Sequence, residues 1–145
     1  KKVFFPDQNR NYTIFNYPLI NAIVQYREKA VPHVLSILAT TQDEKTITEA
    51  LYIIDQLAES GVKGLDKAYP ILARFNETKS PFVQTMLAGV YRKTQPSEAF
   101  GPLFKMLIKD SFNHYNPYFD PTEEIGGAIL EYIRSKNAAQ NYRSF

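Results

Sequence analysis

Apolar side chains recur along this chain at three- and four-residue intervals, and almost nowhere with the two-residue alternation of a half-buried strand. The first sets are Leu19, Ile20, Ile23 and Val24, then Val31, Val34, Leu35 and Leu38, then Ile47, Ala50, Leu51, Ile54, Leu57 and Ala58. Three follow as Ala68, Ile71, Leu72 and Phe75, then Val83, Met86, Leu87, Val90 and Tyr91, then Phe100, Leu103, Phe104, Leu107 and Ile108. The last is Ile125, Ala128, Ile129, Tyr132 and Ile133. Each set covers one face of a 3.6-residue period, so the pattern predicts seven amphipathic helices and an all-α fold. Local punctuation agrees. Ser80-Pro81 and Asp120-Pro121 put a capping acceptor before a proline at the first helical position. Thr46-Ile47-Thr48-Glu49 has the spacing of a capping box, and Gly61 and Gly64 bracket a break.

The helices fall into similar pairs. Val31-Pro32, Tyr69-Pro70 and Gly101-Pro102 each open a short helix, and a longer one carrying Ala50-Leu51, Met86-Leu87 or Ala128-Ile129 follows. The prolines are 38 and 32 residues apart and the dipeptides 36 and 42, a period that marks stacked helical hairpins. On these residues the chain resembles the HEAT-repeat family, with Ala30-Val31-Pro32, the turn near Asp43 and Ala50-Leu51 standing for its consensus unit. The resemblance covers about residues 17–136 and implies a short right-handed α-α superhelix, with the helix near 17–29 as half of a capping repeat. The family's Val-Arg pair before the second helix is replaced by Ile47-Thr48, Val83-Gln84 and Ile125-Gly126, so the unit is divergent. An irregular helical bundle is the alternative. Residues 1–16 read as an irregular arm with an aromatic anchor at Phe4 and Phe5, and 137–145 as a C-terminal tail.

Composition narrows the picture further. Leu, Ile, Val and Phe make up 40 of 145 residues, too many for a disordered chain. The lack of Cys excludes disulfide scaffolds, thiolate metal sites and cysteine nucleophiles. No apolar run reaches the ~18 residues of a membrane span. The chain begins Lys1-Lys2-Val3, as a trimmed chain or one freed of an export signal would, so the compartment stays open between cytoplasm and export. Two Asn-x-Thr triplets, at Asn11 and Asn76, do not decide it.

One turn departs from the repeat. From Leu38 to Ala50 is 12 residues and from Phe75 to Met86 is 11, but from Ile108 to Ala128 is 20. The excess falls in a loop insertion at 110–120, which holds Phe112, His114, Tyr115, Tyr118, Phe119 and Asp120. Insertions in repeat proteins go to one edge, often a binding edge, and aromatic rings make good anchors. These six residues are the expected partner-binding set; covering the open end of the core is their structural alternative.

The net charge of +2 conceals blocks of alternating sign: +3 over 1–29, −3 over 30–77, +4 over 78–109, −4 over 110–124 and +2 over 125–145. Lys79, Arg92, Lys93, Lys105 and Lys109 in the strongest basic block are the candidate anion-binding residues, for nucleic acid or another anionic ligand. Pairing between blocks is the plainer reading.

Catalytic signals are sparse. His33 lies off its helix's apolar stripe, and His114 neighbours Asp110, Asp120, Glu123 and Glu124 without a recognisable ligand spacing. Di-iron hydroxylases of the HEAT-like fold carry His-Glu pairs, but here Val34 and Tyr115 follow the histidines. HEAT-like DNA glycosylases use a basic face with Trp, and this chain has none. Gly126-Gly127 lies at a helix start, where close packing against a neighbour is expected. The expectation is a non-catalytic scaffold that binds a protein or peptide, with no cofactor and no metal. Nucleic-acid or anion binding is the alternative, and an enzyme using His114 with Asp120 or Glu123 the third reading.

Overall fold

The computed structural model of the chain describes residues 17–113, 121–135 and 138–143, with the backbone alone at 110–113. Every regular element among the described residues is helical. The α-helices are α1 (Pro18–Val24), α2 (Val31–Thr40), α3 (Glu44–Glu59), α4 (Tyr69–Leu72), α5 (Pro81–Thr94), α6 (Phe100–Asn113), α7 (Thr122–Arg134) and α8 (Ala138–Tyr142). None is long and apolar enough to cross a membrane.

Three prolines stand at similar places in three helices. Pro32, Pro70 and Pro102 stand in the first turns of α2, α4 and α6, and each of these helices follows a 3₁₀ turn: Arg27–Ala30, Leu65–Ala68 and Ser97–Ala99. A proline ring clashes with the carbonyl four residues earlier, and a tighter i+3 turn ahead of it relieves that conflict. The predicted helix near 17–29 therefore ends at Val24, where the backbone turns and Arg27 adopts φ 50°. The helix predicted around Tyr69 shrinks to the single turn α4, with a second 3₁₀ turn, Ala73–Phe75, behind it.

Helix ends are set by side chains and by glycine. Asp43 caps α3, accepting from the Thr46 amide at 2.8 Å and the Thr46 hydroxyl at 2.6 Å. The capping box read at Thr46 thus lies inside the helix, because Asp43 offers an earlier acceptor. Ser80 caps α5 through the Val83 amide, as its sequence predicts. At the end of α3 the Gly61 amide bonds Ala58 and the Val62 amide bonds Leu57, a Schellman pair that needs the left-handed φ of 91° found at Gly61. The Arg74 guanidinium donates to the Leu38 and Thr41 carbonyls at 2.5 and 3.1 Å, closing the exposed end of α2 from the 3₁₀ turn Ala73–Phe75.

α5 is the centre of the molecule. It packs on α3 at one side and on α7 at the other, while α2 and α1 lie against α3 and α6 lies against α7. Residues 83–91 are buried without interruption, so α5 is enclosed on every face rather than amphipathic as its apolar stripe suggests. Its polar members are satisfied locally: Gln84 donates to the Thr78 carbonyl and Thr85 to the Pro81 carbonyl. The arrangement fits a helical bundle.

Buried tyrosines tie the connections to this core. The Tyr91 hydroxyl donates to Asn76 Oδ1 at 2.6 Å, and Asn76 Nδ2 donates to the Tyr69 hydroxyl at 3.3 Å. Tyr132, fully buried, donates to the Pro96 carbonyl at 2.5 Å, and Asn141 in α8 donates to the Tyr132 carbonyl at 3.1 Å. Burial pushes the Tyr91 and Tyr132 hydroxyls far above the ordinary tyrosine range. Part of the predicted tail is therefore helix α8, with Asn141 buried and Tyr142 against the Phe100 ring.

Gly126 and Gly127 do not mark a close approach: a Cβ at either would meet nothing within 4 Å among the described residues. Gly89 does, since a Cβ there would stand 3.2 Å from Asp55 Oδ1 on α3.

Two substitutions probe these devices. Tyr132→Phe leaves the Pro96 carbonyl without its donor and is expected to cost about 1–2 kcal/mol in urea unfolding. An unchanged midpoint would remove the hydroxyl from the fold's support. Gln95 holds φ 51° immediately before Pro96, a conformation that penalises a side chain. Gln95→Gly is expected to gain about 1 kcal/mol, read as a higher thermal midpoint.

Candidate functional site

Between α3 and α5 runs a polar groove of about 420 Å³, which Glu124 at the start of α7 extends. Tyr52, Asp55, Gln56 and Glu59 line it from α3, and helical spacing of three and four puts them on one stripe. Thr85, Gly89, Arg92 and Lys93 line it from α5. The floor at Gly89 is backbone, which lets the two helices come together at Asp55.

Lys93 joins the walls. Its ammonium lies 2.9 Å from Asp55 Oδ2 and 2.9 Å from Glu59 Oε2. Gln56 Nε2 donates to the same Asp55 oxygen at 3.1 Å. Lys93 and Asp55 are 17% and 13% exposed, so their attraction is screened less than that of a surface pair. Hydrogen bonding to Lys93, then its charge, holds the Glu59 carboxyl below the usual carboxylate range, with a smaller push from Arg92. Burial, then the charge of Asp55, pushes the Tyr52 hydroxyl up to about 12. Arg92 lines the groove with no carboxylate at ion-pair distance among the described residues. Three carboxylates and two cations thus alternate across one open cleft, suited to polar groups of both signs.

The five candidate cations do not form one patch. Arg92 and Lys93 occupy the last turn of α5, while Lys79 precedes its first turn, about 20 Å away along the helix. Lys109 pairs with Glu77, and Lys105 adds to the field that lowers the Glu77 carboxyl. Lys93 and Lys109 are therefore neutralised by carboxylates of the preceding acidic block, the pairing between blocks that the charge pattern allows.

Of the aromatic set, Phe112 falls in the last turn of α6, continuing its spacing four residues after Ile108. His114, Tyr115, Tyr118, Phe119 and Asp120 lie outside the described residues. Their segment joins α6 to α7, whose first turn carries Glu124 into the groove. His33 is exposed. Among the described residues no group of three His, Asp or Glu side chains is placed to hold a metal ion. Asn76 of the second Asn-x-Thr triplet has its amide engaged by two tyrosines. Asp55, Gln56, Glu59 and Glu124 carry the groove yet are absent from the sequence-derived candidates. Their spacing on α3 is visible in the chain, but only the packing of α3 on α5 gives it a partner.

Lys93→Met leaves Asp55 enclosed without its cation and is expected to cost about 1–3 kcal/mol at neutral pH. Because Glu59 titrates below its ordinary 4.5, the stability it adds is complete above that pH and is lost as pH falls through its lower folded value. Denaturant titrations from pH 7 to pH 3 should show this acid limb in the wild type and a flatter one in Lys93→Met. Identical pH profiles would exclude the Lys93–Glu59 pair as its source.

No protein-family model, no curated protein and no solved structure matches this chain.

Proposed function

We propose that the chain is a short HEAT-like, right-handed helical stack that works as a non-catalytic binding module for a protein or peptide. The observation that carries this reading is the row α3–α5–α7, in which each helix packs on the next and all three contribute to one polar groove. Binding surfaces of stacked helical hairpins run along such rows of equivalent helices. The recurring proline behind a 3₁₀ turn at α2, α4 and α6 supports the repeat. A ligand in the groove meets Arg92 and Glu124 at its edge, and Glu124 adjoins the aromatic insertion. Tyr115 and Tyr118, in the segment that joins α6 to α7, are the rings this reading calls on as anchors, since a large side chain with a polar tip suits peptide recognition.

Peptides selected from a random library on the immobilised protein test this. Arg92→Glu, and separately Tyr115→Ala/Tyr118→Ala, are expected to weaken the selected peptides at least tenfold, about 1.4 kcal/mol, with thermal midpoints unchanged. Equal affinity in both folded variants would overturn the reading. Retention of DNA or RNA that falls steeply with salt would favour the anionic-ligand alternative instead.

A further inference from the structure

A second cleft, of about 490 Å³, lies between α1, α2 and α3, and differs from the polar groove in character. Ile23, Val34, Ile37, Ala50 and Ile53 line it, and one charge of each sign, Lys29 and Glu49, stands at its rim. Tyr26 and Ile37 at its edge are 67% and 46% exposed, large apolar surfaces that a folded chain ordinarily covers. Its place in the fold explains the opening. α1 rests on α3 as α3 rests on α5, and α2 rests on α4. Among the described residues, α1 and the 3₁₀ turn Arg27–Ala30 alone precede α2.

We propose that this cleft is filled by the chain's own N-terminal segment, residues 1–16, with Val3, Phe4 and Phe5 as the apolar anchor. The length and attachment of the segment argue for it. It ends at Tyr17, directly before α1, and Ile23 of the cleft lies about 10 Å further along that helix. Residues 6–17 form a tether whose root-mean-square span is about 20 Å, enough to return Phe5 to the cleft without strain. A tether matched to its span presents the anchor at an effective concentration near the millimolar range, above that of most partner proteins. Pro6 follows the anchor and disfavours a helix through it, so the match is of apolar side chains to an apolar cleft. This inference stands apart from the peptide reading of the polar groove.

Photocrosslinking in the full chain tests it. Ile37→p-benzoylphenylalanine places a reactive ketone at the cleft's exposed edge, and Tyr26→p-benzoylphenylalanine gives a second probe if the first variant unfolds. The expected adduct joins the probe to residues 1–16 of the same chain at monomer mass. Adding Phe4→Asp/Phe5→Asp should reduce its yield at least fivefold. Adducts on residues 110–120, adducts only between two copies, or no adduct from either folded probe would each overturn the proposal.

Discussion

Burying a helix on every side leaves it no polar face to turn toward water, and α5 lives under that constraint. Its residues 83–91 are enclosed between α3 and α7, so each polar group among them must find a partner within reach. Gln84 turns back to the Thr78 carbonyl ahead of the helix, and Thr85 to the Pro81 carbonyl in its first turn. Gly89 gives up its side chain where Asp55 comes close. Tyr91 extends its hydroxyl to Asn76, so the loop before α5 is fastened by the helix that follows it. The positions of α3 and α7, and with them the polar groove, follow from how closely each can approach this central helix.

The connections obey the same economy of buried polar groups. A phenylalanine at Tyr91 or Tyr132 would fill much the same space, but its ring could not reach the carbonyl or amide that a loop presents to the core. Tyr132 reaches back to Pro96 and its own carbonyl receives Asn141, which joins α7, the turn before α6 and α8. Arg74 performs a related task at the surface, closing the end of α2 from the 3₁₀ turn Ala73–Phe75. The helices are thus held together by polar bonds between elements distant in sequence as well as by apolar packing.

Charge acts between helices here, not as one broad field. The acidic block of α3 meets the basic end of α5 through Lys93, and Lys109 meets Glu77, leaving Arg92 as the cation that faces the cleft. The pairs consume much of the basic block that looked available for an anionic ligand. What remains is a small mixed-charge cleft near the C-terminal end of α3, and toward the other end of that helix a separate apolar one.

The chain's periodicity by itself determined the helical class, the apolar stripes of α2, α3, α6 and α7, the Ser80 cap and the Gly61 stop, since all of these depend on residues within one or two turns. The same periodicity carries Phe112 into α6, although the uneven turn lengths place it in the insertion. Local rules failed where two candidates competed, as with Asp43 and Thr46 for the cap of α3, and where a proline tightened the turn before it. Only the tertiary structure decided that α5 is enclosed, that Gly89 rather than Gly126 or Gly127 marks a close approach, and that Asp55 and Glu59 face Lys93. The physical reason is that a helical pattern states which face is apolar, but not which neighbour will cover it. Polar residues on the other faces acquire a role only when another helix is laid beside them.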